Sequence, residues 1–186
     1  MTGPTGWNAR TALARIQAAS WKGLAWRFHR RTYGATDSGG ALLVSGRYHR
    51  APDQFPRSEV WSALYLALSP EGSLGEVIRH FTPLVLPQLN EYRLSVIEVE
   101  LEAVLDCRDA AALGLSPEDL IRDYDFAITQ EIAAAAIAHG AEGILVPSAT
   151  GLGDNLVVFP AQLRSGSRLA VAGNLAANAR YREASA

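Results

Sequence analysis

Cysteine is almost absent: Cys107 stands alone in 186 residues, which excludes an internal disulfide framework and fits a reducing compartment. The four histidines, His29, His49, His80 and His139, are scattered; no two share metal-ligand spacing, so no metal site is expected. Excess charge is missing too. The chain carries 17 Lys and Arg against 19 Asp and Glu, a net charge of −2, so no bulk field draws nucleic acid to the surface. Long hydrophobic runs are lacking. The most apolar stretch, residues 132–137, is alanine-dominated and ends at His139-Gly140, far short of the roughly 20 residues that span a bilayer. Residues 1–17 hold arginines but no continuous apolar segment of the kind that marks a secretory signal. The expectation is a cytoplasmic protein with neither membrane nor direct nucleic-acid contact.

What is present is globular composition, 48% hydrophobic and 19% charged, in a length that suits one domain over 1–186. Leu13, Ile16 and Trp21 fall on one helical face, so residues 1–23 are expected to contain an N-terminal helix over 8–21. Residues 24–30 (LAWRFHR), 62–68 (SALYLAL) and 94–101 (LSVIEVEL) read as strands. A helix is expected from Ser69 or Ser73 to Phe81, closed by Pro83. Ser116-Pro117-Glu118-Asp119 opens a short helix with a capping serine, proline at the first position and acids in the first turn. A longer helix runs over 126–139 with Gly140 ending it, and 143–147 and 155–159 are buried strands. Residues 173–186 are alanine-rich and polar, a tail expected to fray. Strands and helices mix without regular βαβ alternation, which indicates an α+β fold with a curved, antiparallel or mixed sheet. Neither Gly39-Gly40 nor Gly151-Leu152-Gly153 sits in the strand-to-helix turn of a doubly wound nucleotide fold.

Several residues carry chemistry. Arg27 lies mid-strand between Trp26 and Phe28; buried, it needs an anionic partner, and otherwise Arg27, His29 and Arg31 form a basic face toward solvent. In Ser45-Gly46-Arg47-Tyr48-His49 the glycine permits close approach, the arginine offers a planar fork for phosphate and the tyrosine a stacking face. Glu76, in Ser73-Leu74-Gly75-Glu76, has the spacing of a capping box. The functional alternative is a carboxylate beneath Tyr65 that touches a bound ribose and stabilises developing positive charge. Ser148 has no Gly-x-Ser-x-Gly elbow, so it reads as a polar contact or a turn residue rather than a nucleophile.

The order of these stretches resembles the RES-domain family, named for an arginine, a glutamate and a serine. The matching segments are Trp26-Arg27, Ser45-Gly46-Arg47-Tyr48-His49, Ala63-Leu64-Tyr65-Leu66-Ala67 and Leu74-Gly75-Glu76-Val77. Downstream follow Thr129-Gln130-Glu131-Ile132, Gly143-Ile144-Leu145-Val146-Pro147-Ser148 and Asn155-Leu156-Val157-Val158-Phe159. The likeness covers residues 24–160. One departure is Tyr48-His49, where the family typically has Trp-Asn.

The resemblance implies an ADP-ribosyltransferase-like fold that takes NAD⁺ as substrate and breaks its nicotinamide–ribose bond. Carried over by residue, it implies that Arg27 and Arg47 hold phosphate, Tyr65 orients the nicotinamide ribose and Glu76 stabilises the cationic transition state. Tyr48, His49, Ser148 and Asn155 would complete the ligand site. It also implies a toxin paired with an antitoxin that has a helix-turn-helix DNA-binding domain and blocks the active site. Separately, exposed apolar surface near a pocket would suit a homo-oligomer, and bound antitoxin a larger assembly. Hydrolysis, phosphorolysis, ADP-ribose transfer to a protein and a silent binding module remain open at this point.

Overall fold

The computed structural model describes residues 6–80 and 90–176. Its elements are α1 (Ala9–Leu13), β1 (Ala19–Arg30), β2 (Leu64–Ala67), α2 (Pro70–His80), β3 (Tyr92–Asp106), α3 (Pro117–Ile121), α4 (Ala127–Ala138), β4 (Gly143–Pro147), β5 (Asp154–Val158) and β6 (Arg168–Ala176). The α+β class with a curved, mixed sheet is what the chain forms.

Curvature comes from pairings that close on themselves. The strand order is β1-β2-β5-β4-β3-β6, and β1 also pairs with β3. Long β1 and β3 run antiparallel from Ala19↔Val104 to Arg30↔Tyr92, while β1 touches β2 only at Trp26↔Ala67. The other edge of β3 takes β6 along 93–100 and then β4, in parallel, at 104–106.

The three short strands bury both faces. Leu64, Leu66, Leu145, Leu156 and Val158 join Ala25, Ile97 and Val99 inside the curl. Alternate residues Ala63, Ile144, Val146, Val157 and Phe159 face a second core that contains residues of α1, α3 and α4. Two buried faces explain why β4 and β5 read as unbroken apolar runs rather than alternating ones. In α4, Ile132, Ala133 and Ala136 are fully buried, and Gly140 at φ +74° terminates the helix. At α3, Ser116 and Asp119 form the capping box, with the Ser116 backbone N–H donating to Asp119 Oδ2 at 2.9 Å.

Two expectations need correction and two open readings are decided. The N-terminal helix stops at Leu13, and Ala19 already belongs to β1; Leu13 packs in one core and Trp21 against the other, so their helical spacing was fortuitous. Residues 173–176 are paired strand rather than frayed tail; 177–186 lie outside the described residues, as does Phe81 at the expected end of α2. Arg27, His29 and Arg31 do not form one solvent-facing basic surface: His29 is buried with Nε2 2.8 Å from Ser95 Oγ, and Arg27 is half-buried. Glu76 is not a capping residue: α2 starts at Pro70, and Ser69 Oγ accepts the Gly72 N–H at 2.9 Å.

Candidate active site

A cavity of about 520 Å³ opens where β1, β2, the turn at 46–49, the first turns of α2 and the ends of β4 and β5 converge. Arg27, Arg47, Tyr48, His49, Tyr65, Glu76 and Asn155 all border it. Residues spread over more than a hundred positions of sequence therefore meet in one place.

Glu76 reaches the cavity from the second turn of α2. Its Oε1 accepts from Ser148 Oγ at 2.7 Å and from Asn155 Nδ2 at 2.9 Å, and among the described residues no hydrogen bond reaches Oε2. The donors form an ordered relay. Leu152 N–H donates to Thr150 Oγ1 at 3.2 Å. Because the Ser148 proton goes to the carboxylate, Thr150 Oγ1 must donate to Ser148 Oγ, 2.7 Å away. Ser148 is only 3% exposed and acts on Glu76 from behind, rather than on the cavity as expected. The Asn155 carbonyl oxygen is buried without a partner among the described residues; turning the amide over would set that oxygen against the carboxylate, which is worse.

The arginines differ. Arg27 Nη1 donates to the Ala35 and Gly34 carbonyls at 2.8 and 3.4 Å, and no carboxylate lies within ion-pair distance of it among the described residues. Burial lowers its pKa, with Asp37 working the other way. A partly desolvated guanidinium without a carboxylate is a seat for an anion. Arg47 is 16% exposed and lies 3.7 Å from Asp123 Oδ1. Its Nη1 donates to Leu120 O at 3.2 Å, and its guanidinium stacks on Phe126, 5.1 Å from the ring centre.

The turn carrying Arg47 is pinned from all sides. Gln130 Nε2 on α4 donates to Gly46 O at 2.9 Å and His49 O at 3.3 Å, and Trp61 Nε1 donates to Tyr48 O at 3.0 Å. Tyr48 is 1% exposed, so its ring is core rather than the stacking face expected, and its hydroxyl donates to Leu120 O at 3.4 Å. Burial pushes the pKa of both Tyr48 and Tyr65 upward.

Sequence reasoning brought the arginines, Tyr65, Glu76, Ser148 and Asn155 together and missed Thr150, Gln130, Trp61 and Asp123. Gln130 had a signal, an amide on the inner face of an otherwise alanine-rich helix. Thr150, two residues from Ser148, had only turn spacing.

The family model described as RES domain matches residues 24–181. The chain belongs to the RES-domain family. Among solved structures it is similar to the MbcT toxin in the crystal structure of the M. tuberculosis MbcT–MbcA toxin–antitoxin complex. The TM-score is 0.74 at 25% identity, covering 94% of this chain and 95% of the other. No curated protein matches the chain in sequence. No helix among the described residues is long and apolar enough to cross a membrane, and among those residues no group of three or more His, Cys, Asp or Glu could hold a metal ion.

Proposed function

We propose that this RES-domain chain is the toxin of a toxin–antitoxin pair and consumes NAD⁺ by breaking the nicotinamide–ribose bond. The observation that carries the reading is Glu76, anchored through one oxygen by Ser148 and Asn155 in a cavity it shares with Arg27 and Arg47. NAD⁺ offers what these groups need. Its pyrophosphate suits two guanidiniums, and its nicotinamide-bearing ribose becomes cationic as the bond breaks. The C1′–N bond cleaves with its electron pair going to the pyridinium nitrogen. The oxocarbenium-like ribose that remains is stabilised by the Glu76 carboxylate, preorganised in a partly dry site. An acceptor oxygen then adds to C1′ and loses its proton. Tyr65, which borders the same cavity, orients the ribose.

The likeness to a toxin solved with its antitoxin supports an antitoxin partner here. We infer that this partner is a helix-turn-helix protein that covers the cavity. The test is NAD⁺ loss by purified protein, with and without inorganic phosphate, with products separated by chromatography. Free nicotinamide supports the reading, and dependence on phosphate assigns phosphorolysis over hydrolysis. Intact NAD⁺ under both conditions refutes self-sufficient cleavage.

A further inference from the structure

His49 stands where the family pattern has an amide, and the geometry around it determines where every proton sits. Its Nε2 is 2.9 Å from Val44 O. A carbonyl can only accept, so Nε2 carries a proton. Nδ1 lies 2.9 Å from the Tyr65 hydroxyl, and in a neutral imidazole it then has only a lone pair to offer, so Tyr65 donates to it. The Tyr65 oxygen in turn accepts the Tyr48 N–H at 2.9 Å. Each hydrogen runs one way: Tyr48 N–H to Tyr65 O–H to His49 Nδ1, then His49 Nε2–H to Val44 O.

An independent observation fits the imidazole to the turn. A Cβ on Gly46 would lie 2.3 Å from His49 Cε1 and 2.9 Å from Nδ1, so the space left by the missing side chain is filled by this ring. The same turn closes through Gly46 N–H to His49 O at 3.2 Å and holds Arg47 at its tip. The ring also meets Tyr65 edge-on, with centroids 5.7 Å apart.

Resting on the reading of the cavity as an NAD⁺ site, we propose that His49 is a positioning residue. As the Nε2-protonated imidazole it accepts the hydrogen bond of the Tyr65 hydroxyl and so fixes the orientation of that side chain, and it holds the turn that presents Arg47. It works through these two side chains rather than by touching the substrate.

The test separates the two ring nitrogens. An asparagine places an acceptor near the Nδ1 position, and a glutamine places a donor near the Nε2 position. H49A is expected to lower kcat for nicotinamide release by about five- to ten-fold, the effect of losing one neutral positioning hydrogen bond. H49N should recover to within about three-fold of wild type, whereas H49Q, without the acceptor toward Tyr65, should stay near H49A. Nitrogen-15 imidazole spectra of the unmutated free protein should show Nε2 protonated and Nδ1 bare, with Nδ1 shifting in Y65F. A protonated Nδ1, or equal rescue by H49N and H49Q, would overturn the assignment. A wild-type protein that releases no nicotinamide would refute the NAD⁺ reading instead, and the imidazole spectrum would still decide the place of His49.

Discussion

Ser148→Ala removes one donor from the Glu76 carboxylate and leaves the other, Asn155 Nδ2 at 2.9 Å, in place. A hydrogen bond to a charged group contributes about 1.5–3 kcal/mol, and about 1.4 kcal/mol is a factor of ten in rate. If the full effect reached the transition state, kcat would fall by about 10- to 100-fold. The surviving Asn155 bond makes the lower end the expected value. Because Ser148 is 3% exposed and its proton faces Glu76, KM for NAD⁺ should change by less than about three-fold. The change also deprives the Thr150 N–H, 3.1 Å from Ser148 Oγ, of its acceptor, so a modest loss of stability of about 1 kcal/mol accompanies it. Steady-state nicotinamide release over a range of NAD⁺ concentrations reads both parameters. A raised KM at unchanged kcat would show that Ser148 touches the ligand and refute the relay. An unaltered enzyme would show that Glu76 does not depend on it.

Three further outcomes follow from the same geometry. Gly46→Ala puts a Cβ 2.3 Å from His49 Cε1, an overpacking that costs about 1–3 kcal/mol; thermal unfolding should drop by about 2–12 °C, and an unchanged midpoint would mean the turn yields freely. Glu142 is wholly buried and accepts the backbone N–H groups of Glu102, Ala103 and Arg164 at 2.6, 2.9 and 2.7 Å; Glu142→Ala should cost about 3 kcal/mol or more in urea unfolding by orphaning them. Burial lowers the pKa of both His29 and His49 from the ordinary 6.5. The unfolded chain therefore binds protons that the folded chain refuses, and stability falls as pH drops below about 6.5 toward the lower folded values. Carboxylates such as Asp106, ordinarily near 3.8 and lowered by its bond to Arg108, act only at lower pH. Unfolding temperatures at pH 7.5 and 5.5 test this, and a flat or rising profile toward acid contradicts it.

The legible parts of the fold were those where local pattern and tertiary placement agree. β4 and β5 announced themselves because both faces are buried, and Ser116 with Asp119 marked α3 because capping is a local act. β6 was invisible: Arg168–Ala176 is poor in β-branched residues, and Val171 and Leu175 are exposed, so pairing with β3 and not side-chain burial makes it a strand. The first residues of β1 misled for the same reason, Ala19 to Gly23 having weak strand preference and an extended partner in β3. In the site, Arg27, Arg47, Glu76 and Ser148 could be found through their ordered motifs. The relay from Thr150 lies within one loop whose turn spacing does not show that it ends on Glu76, and the support from Gln130 is a hydrogen bond to Gly46 across 84 positions.

The central claim is that Glu76 stabilises a cationic ribose as nicotinamide departs, and Glu76→Gln tests it most directly. The amide keeps the shape of the side chain and removes the charge, so the fold should persist by circular dichroism while nicotinamide release falls by about 100-fold or more. A folded Glu76→Gln protein that releases nicotinamide at the wild-type rate would contradict the account.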